Sequence, residues 1–435
     1  MKIGLIHPPH EYKSDTKDLV HINGISYIEA TLRESYDVKT VNFKHDSNAS
    51  LEDIADCDIV GLTSLMDSYK FFKKALPEIK KQSKKIIVGG PLISSYGLTS
   101  SNLLMNLFPQ IDFAVIGEGE KTIKGLIEKL ENPSKQYPSG LIYRDSEGKL
   151  NTTNKAEIVH DLDELNEIDY HRWTGLAEEL KGHGFSLLTS RGCPNHCSFC
   201  YKISPGTRSF SLARIEKEIQ KVTELKPRRI NFNDDTFTYD RKRAIGIAEL
   251  VAKSGIKYSL LTRVDCLDTE LLKILKDTGC EILRPGIESF DPYVLKKNGK
   301  NITLKQVYEA IEVAQKVGIK TIGFFLLGLP GETRESIRRT INGIKETRVF
   351  PRIRLVMPLP GTRIYHEALQ KGLIDEIELL KQFSEPGHFD TGEGDWVPVN
   401  LTNLSDKELL DARNEIRELR AEFEKEYKEN VNELR

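Results

Sequence analysis

The chain has little of what marks an exported or membrane protein. Among its 435 residues are six cysteines, four methionines and two tryptophans, and no uninterrupted apolar run reaches the length needed to cross a bilayer. Its start, Met1-Lys-Ile-Gly-Leu-Ile-His7, lacks the apolar core of a signal peptide. The expectation is a cytoplasmic protein with no membrane span and no disulfides. Net charge is scarce too: 63 Lys and Arg against 65 Asp and Glu leave −2, so neither nucleic acid nor an anionic membrane is expected as partner. Basic runs such as Lys80-Lys81-Gln-Ser-Lys84-Lys85 read as solvated helix ends. Repeats and low-complexity tracts are absent. With 39% hydrophobic and 29% charged residues, the composition suits two or three domains of about 150 residues each.

The few cysteines are concentrated. Cys193, Cys197 and Cys200 share the run Arg191-Gly-Cys-Pro-Asn-His-Cys-Ser-Phe-Cys-Tyr201, while Cys57, Cys266 and Cys280 are scattered. Spacings of three and two residues let the thiolates converge from one tight loop. Four cysteines would close a zinc tetrahedron or fully ligate an iron–sulfur cube; three leave a position open for chemistry. Zinc would need His196 as the fourth ligand, and adjacent His196 and Cys197 would strain one tetrahedron. The reading is an iron–sulfur cluster.

The Cys-x-x-x-Cys-x-Phe-Cys pattern resembles the radical S-adenosylmethionine (SAM) superfamily, with Phe199 in its aromatic slot. The resemblance implies a [4Fe–4S] cluster whose open iron binds SAM, and an electron that cleaves SAM to a 5′-deoxyadenosyl radical. It also implies a reductant such as flavodoxin or ferredoxin.

In the N-terminal third, short apolar strands are expected at 2–7, 38–43, 58–63, 85–88 and 113–116, alternating with helices at 27–34, 67–80 and 121–131. This alternation predicts a doubly wound parallel sheet of about five strands, with ligands beyond the strands' carboxyl ends. That edge carries Pro8-Pro9-His10, Thr63-Ser64-Leu65, Gly89-Gly90-Pro91 and Gly117-Glu-Gly-Glu120. The series Pro8-Pro9, Val88-Gly-Gly-Pro91 and Val115-Ile-Gly-Glu-Gly-Glu120 resembles the cobalamin-binding domain of cobalamin-dependent radical SAM enzymes. By that resemblance Pro8, Thr63, Ser64, Gly89, Gly90, Gly117 and Glu118 face cobalamin. Two departures stand out. His21-Ile-Asn-Gly24 replaces the family's Pro-Pro-x-Gly, and the Asp-x-His-x-x-Gly signature of a lower cobalt ligand is absent. His7, His10 and His21 remain as histidines near that edge, and a domain that keeps this fold without cobalamin is the alternative.

Residues 140–150 read as a hairpin and 161–169 as an acidic linker. From 185, strands are expected at 185–189, 229–233, 257–262, 281–285, 321–327 and 352–357. Six such βα units predict a partial TIM-like barrel with its site at the C-terminal strand ends. These ends carry Asn233-Asp-Asp-Thr236, Thr262-Arg-Val-Asp265, Gly286-Ile-Glu-Ser289, Gly328-Leu-Pro-Gly-Glu-Thr333 and Pro358-Leu-Pro-Gly-Thr362. Clustered carboxylates are costly unless paired or bound to a cation. The segments Phe232–Thr238, Pro285–Ser289 and Leu327–Thr333 resemble the same enzymes, extending the likeness over residues 1 to about 370. It implies that Asp234 or Asp235 meets the methionine amine of SAM, and that Arg263, Glu288 and Ser289 meet the rest. Asp235 and Thr236 would serve equally well to cap the next helix.

A capping box, Ser405-Asp-Lys-Glu408, opens a last helix with Leu409, Ala412, Ile416, Leu419, Phe423 and Tyr427 on one face. Before it, Pro386–Trp396 reads as a surface connection, or as a lid with His388, Phe389 and Trp396 turned inward.

The expected architecture is α/β. It comprises a cobalamin-binding Rossmann-like domain (1–135), a hairpin and linker (136–184), a partial (β/α)6 barrel (185–370), and a C-terminal lid and helix (371–435). The expected activity is methylation of an unactivated carbon or phosphorus in a small molecule. Cyclisation or rearrangement with the same cofactors, and a non-catalytic electron-transfer protein, are the alternatives.

Overall fold

The computed structural model describes residues 1–9, 23–82, 84–97, 99–100, 102–176, 180, 182–204, 206–385 and 396–433. His10, His21, Pro386, His388 and Phe389 lie outside the described residues. The chain forms two compact units.

The first unit takes Met1–His183, Tyr201–Phe210 and Glu376–Asp390. Its sheet is built from β1 (Lys2–His7), β2 (Asp37–Asn42), β3 (Ile59–Thr63), β4 (Lys85–Gly89), β5 (Phe113–Val115), β6 (Leu141–Arg144) and β7 (Leu150–Thr152), in the order β2-β1-β3-β4-β5-β6-β7. The first five are parallel. Helices cover both faces of such strands, so β1, β3 and β4 are continuous apolar runs rather than alternating ones. The helices are α1 (Asn23–Leu32), α2 (Tyr69–Lys81), α3 (Pro91–Gly97), α4 (Leu103–Leu107) and α5 (Glu120–Glu131). The strand order reverses between β1 and β3, where open α/β sheets bind ligands. The expected hairpin forms, but β6 pairs antiparallel with β5, so the sheet has seven strands instead of about five. Sequence periodicity missed α3, although Pro91 at its first turn is a helix-start signal.

The second unit takes Gly184–Cys200, Ser211–Asp375 and Thr391–Arg435. After β8 (Gly184–Leu187) come two-residue strands β9 (Ser190–Arg191) and β10 (Arg208–Ser209), the latter in the first unit. The series continues with β11 (Arg229–Phe232), β12 (Tyr258–Arg263), β13 (Cys280–Glu288), β14 (Lys320–Leu327) and β15 (Phe350–Leu355). Six strands, β8-β11-β12-β13-β14-β15, lie parallel in chain order. Between them run α6 (Leu212–Glu224), α7 (Arg241–Ser254), α8 (Thr269–Asp277), α9 (Pro292–Lys297), α10 (Leu304–Lys316) and α11 (Arg334–Thr347), followed by α12 (Arg363–Gln370). Side chains of Ser211, Asp240, Asp268, Asp291, Thr303 and Thr333 cap α6 to α11, satisfying amides that have no partner within the helix.

Helix α13 (Glu376–Phe383) belongs to the first unit, where Ser384 Oγ donates to Asp67 O at 2.8 Å. The last helix, α14 (Asp406–Glu433), opens with the predicted box: Glu408 Oε2 accepts from Ser405 N–H at 2.8 Å and Ser405 Oγ from Glu408 N–H at 3.3 Å. Leu409, Ala412, Ile416, Leu419 and Phe423 are buried in the barrel's core with Ile341, Ile344 and Leu355. Tyr427 instead stays half exposed, its ring edge-on to Phe350. Among the described residues no helix is long and apolar enough to cross a membrane.

Candidate functional site

In the second unit, the cysteine loop leaves β8 over a buried anchor. Asp234, at the end of β11, accepts from Thr189 N–H at 3.1 Å, from Thr189 Oγ1 at 2.9 Å and from Ser190 Oγ. Burial pushes its carboxyl up, while Ser190, the charge of Arg243 and Thr189 pull it down. Its Oδ2 has no partner among the described residues. Asp234 thus fixes the strand end from which the loop departs. Its neighbour Asp235 is exposed, and the helix cap falls to Asp240, five residues on, not to Asp235 or Thr236.

The three loop cysteines are not in disulfides; Cys193 is buried, Cys197 half-buried and Cys200 exposed. Asn195 Nδ2 donates to Cys193 Sγ at 3.4 Å, and Thr236 Oγ1 lies 3.7 Å from the same sulfur. Cys197 Sγ stands 3.7 Å from Gly299 O. Gly299 must be glycine: its φ is +70°, and a Cβ there would come within 2.8 Å of His196 O. Phe199 packs on a buried cluster of Val294, Leu329, Val356 and Ile364, which seats the loop.

Around Cys197 the structure gathers charge. Arg263 makes a two-pronged pair with Asp265, both contacts 2.9 Å, and donates to Lys300 O at 2.7 Å. Lys300 Nζ meets Glu288 Oε1 at 2.8 Å, and both side chains are almost fully buried. Glu288 adopts φ +70°, a strained choice for a residue other than glycine, beside a bulge in β13. Two residues earlier, a Cβ on Gly286 would lie 2.7 Å from both Glu288 Oε1 and Lys300 Nζ. Burial pushes the Cys197 thiol up, Lys300 pulls it down, Glu288 raises it and Arg263 lowers it. Lys300 escaped the sequence reading, and so did Thr189, Ser190 and Gly299.

Cys266 joins this neighbourhood. Burial lifts its thiol to about 11, Asp265 adds to the rise, Arg263 opposes it, and Cys193 is near enough to contribute. Cys280 is fully buried with its thiol pushed to about 12, and Cys57 belongs to the first unit. Ser289 is fully buried, and its hydroxyl serves Thr340 Oγ1 and Asp291 N–H, both at 3.1 Å. The Leu327–Thr333 motif folds back on itself: Glu332 accepts from Gly328 N–H at 2.6 Å and Leu329 N–H at 3.2 Å. Burial pushes its carboxyl up to about 8.

No group of three His, Cys, Asp or Glu among the described residues is arranged around one metal ion. A cube gives each cysteine its own iron, so its ligands stand farther apart than those of a single ion. The donor set fits such a cluster: three thiols in one loop, with buried cations alongside to offset thiolate charge.

In the first unit, the strand-end edge is made of small residues locked together. Ser64 N–H and Oγ both donate to Gly89 O at 2.7 Å, and Ser64 Oγ accepts from Ile93 N–H at 3.0 Å. Gly90 has φ +99°, and a Cβ on it would lie 2.7 Å from Ser64 N, Ser64 O and Thr63 Oγ1. Gly117, φ +86°, donates from its amide to Ser94 Oγ at 3.0 Å. Thr63, Gly89, Gly90 and Gly117 thus present backbone and small groups, with Ser64 fully buried behind them, a surface that fits a flat macrocycle at close approach. Pro8 ends β1, and its carbonyl lies 3.0 Å from Nδ1 of buried His7, whose ring centre is 6.5 Å from that of His45. Glu118 is engaged elsewhere. Its carboxylate binds Arg208 with both oxygens and accepts from Val159 N–H at 3.2 Å, and the ion pair is buried.

A flavodoxin-ordered parallel sheet with a glycine-rich edge, and a six-stranded parallel barrel with a three-cysteine loop after its first strand, define a radical SAM enzyme carrying a cobalamin domain. Residues 187–344 match the radical SAM superfamily and residues 13–127 the B12 binding domain. The chain belongs to the cobalamin-dependent radical SAM family, whose cofactors are a [4Fe–4S] cluster, SAM and cobalamin. It is 31% identical over 418 residues to an uncharacterized methyltransferase of Pyrococcus horikoshii, covering 88% of this chain and 89% of that protein. It is 27% identical over 391 residues to the hopanoid C-3 methylase of Methylococcus capsulatus, covering 84% and 72%. Among solved structures, the radical SAM methyltransferase TsrM from Kitasatospora setae shares the fold with a TM-score of 0.69 at 16% identity, covering 85% of this chain and 75% of that one.

Proposed function

We propose that the chain is a cobalamin-dependent methyltransferase acting on an unactivated carbon, or on phosphorus, of a small molecule. The observation that carries this reading is likeness to methyltransferases along nearly the whole chain, across both units. Another relative, the cytidylyl-2-hydroxyethylphosphonate methyltransferase of Streptomyces wedmorensis, is 23% identical over 348 residues.

When bound, the cluster and SAM supply a hydrogen-abstracting 5′-deoxyadenosyl radical, and cobalamin supplies a methyl group. Cys193, Cys197 and Cys200 would hold the cluster. Asp234, through Thr189 and Ser190, keeps their loop at the end of β8. Arg263, Glu288 and Lys300 form a desolvated charged set beside Cys197, suited to the charged ends of SAM. Thr63, Gly89, Gly90 and Gly117, backed by Ser64, would receive the corrin. Low-potential reducing equivalents would come from flavodoxin or ferredoxin, which suits a cytoplasmic setting.

Counting SAM products tests the reading. Each methylated product should accompany one 5′-deoxyadenosine and one S-adenosylhomocysteine, because SAM serves as both radical source and methyl donor. The likeness to an anaerobic magnesium-protoporphyrin IX monomethyl ester cyclase of Rubrivivax gelatinosus, 24% identical over 360 residues, favours a second reading without methyl transfer. Turnover with 5′-deoxyadenosine but no S-adenosylhomocysteine and no methyl mass gain would establish that reading instead.

A further inference from the structure

The cysteine loop rests on two segments, and each brings an exposed cation to the seam. Ser198 N–H donates to Asn298 O at 2.9 Å and Ser198 Oγ to Asn298 Oδ1 at 2.7 Å, next to the Cys197–Gly299 contact. From the other side, Ile364 N–H donates to Ser198 O at 3.2 Å. Immediately before Asn298 come Lys296 and Lys297; immediately before Ile364 comes Arg363. All three are exposed. Arg363 Nη2 donates to Lys297 O at 2.9 Å, tying the two segments together. Tyr293, 62% exposed, lies beneath Lys297, with Nζ 5.7 Å from the ring centre. Gly331 makes room for this pair: a Cβ there would meet Lys297 Cδ at 2.7 Å and Tyr293 Cε1 at 3.0 Å.

The charge on this face is unbalanced. None of the three cations has a carboxylate partner among the described residues, and the carboxylates of their own elements are already taken. Asp291, the cap of α9, pairs with Arg339, and Glu367 of α12 pairs with Lys371. The end of a helix explains lysines in its last turn. It explains neither Arg363, which comes from another element, nor an aromatic ring left mostly in water.

We propose that Tyr293, Lys296, Lys297 and Arg363 form the docking face for a small acidic electron-transfer protein that reduces the cluster. The proposal rests on Cys193, Cys197 and Cys200 being the cluster's ligands. In the step, the carrier loses one electron and the cluster gains it, with no bond or proton exchanged. From Lys297 the backbone runs through Asn298 to the Gly299 carbonyl, 3.7 Å from a ligand sulfur, so a partner seated on this face is separated from the cluster by one short segment. Three exposed cations without a carboxylate partner among the described residues attract an acidic partner and raise its association rate in a salt-dependent way.

The test uses the full chain with its cluster reconstituted and compares two reductants, purified flavodoxin hydroquinone and dithionite. In the variant Lys296→Glu/Lys297→Glu/Arg363→Glu, cluster bleaching by flavodoxin should slow at least tenfold, while bleaching by dithionite stays at the wild-type rate. The wild-type flavodoxin rate should fall steeply with added salt and the variant's should not. Lys253→Glu, in the last turn of α7, should behave as wild type. Equal flavodoxin rates in variant and wild type would overturn the docking face. So would equal slowing with both reductants, which would mean the loop itself had been disturbed. Iron content separates the two levels of the argument. Iron that survives Cys197→Ala refutes the ligand reading and this proposal with it, whereas intact iron with unchanged flavodoxin rates refutes the face alone.

Discussion

Replacing Lys300 by Met should expose how the barrel holds its buried charge. In the native chain, Lys300 Nζ sits 2.8 Å from Glu288 Oε1, with 6% and 9% of the two side chains exposed. Lys300→Met keeps the stem and removes the ammonium, so the carboxylate stays buried without its ion partner. Breaking such a pair from one side costs about 3–5 kcal/mol. The deficit should therefore be about 4 kcal/mol. Native-state hydrogen exchange at the β13 amides is the suitable assay, because a two-unit chain need not unfold in one step. Protection there should drop by between two and three powers of ten, at about 1.4 kcal/mol for each power. Glu288→Met/Lys300→Met should recover most of the loss, since removing both partners leaves no stranded charge. Protection in Lys300→Met equal to that of the native chain, or a double variant no better than the single one, would refute the reasoning.

Alanine at Cys193, Cys197 or Cys200 should each remove most iron and all SAM cleavage, while alanine at Cys57, Cys266 or Cys280 should leave iron content unchanged; iron analysis decides. Gly90→Leu should cut cobalamin affinity at least tenfold in equilibrium dialysis, since even its Cβ would meet Ser64 backbone at 2.7 Å, on a residue with φ +99°. Glu332 keeps its proton to about pH 8 in the folded chain against an ordinary 4.5. The unfolded chain loses that proton first, so this group's contribution to stability is greatest below pH 4.5 and declines by several kcal/mol as pH rises to about 8. Glu332→Gln should flatten that decline in urea titrations at pH 5 and pH 8, and an unchanged slope would refute the assignment.

The strands were legible because parallel strands buried on both faces need continuous apolar runs, as in Ile86-Ile87-Val88. The cysteine loop was legible because ligand spacing is set by covalent reach. The polar strand ends were only half legible. A sequence shows that Asp234, Glu288, Ser289 and Glu118 lie where sites form, but not which way each side chain spends its hydrogen bonds. A buried polar group must be paired, and its partner often comes from far along the chain. Arg208 takes both oxygens of Glu118 from ninety residues away, and Thr340 takes Ser289 from fifty-one. Lys300 reaches Glu288 only because a bulge, a left-handed glutamate and the turn at Asn298–Gly299 bring them together, and none of these leaves a periodic trace. Residues of one chemical type at successive strand ends are therefore divided by tertiary pairing into two groups. Asp234 and Glu118 are spent on holding backbone, the one at Thr189 and the other at Val159, whereas Arg263, Glu288 and Lys300 stand beside Cys197.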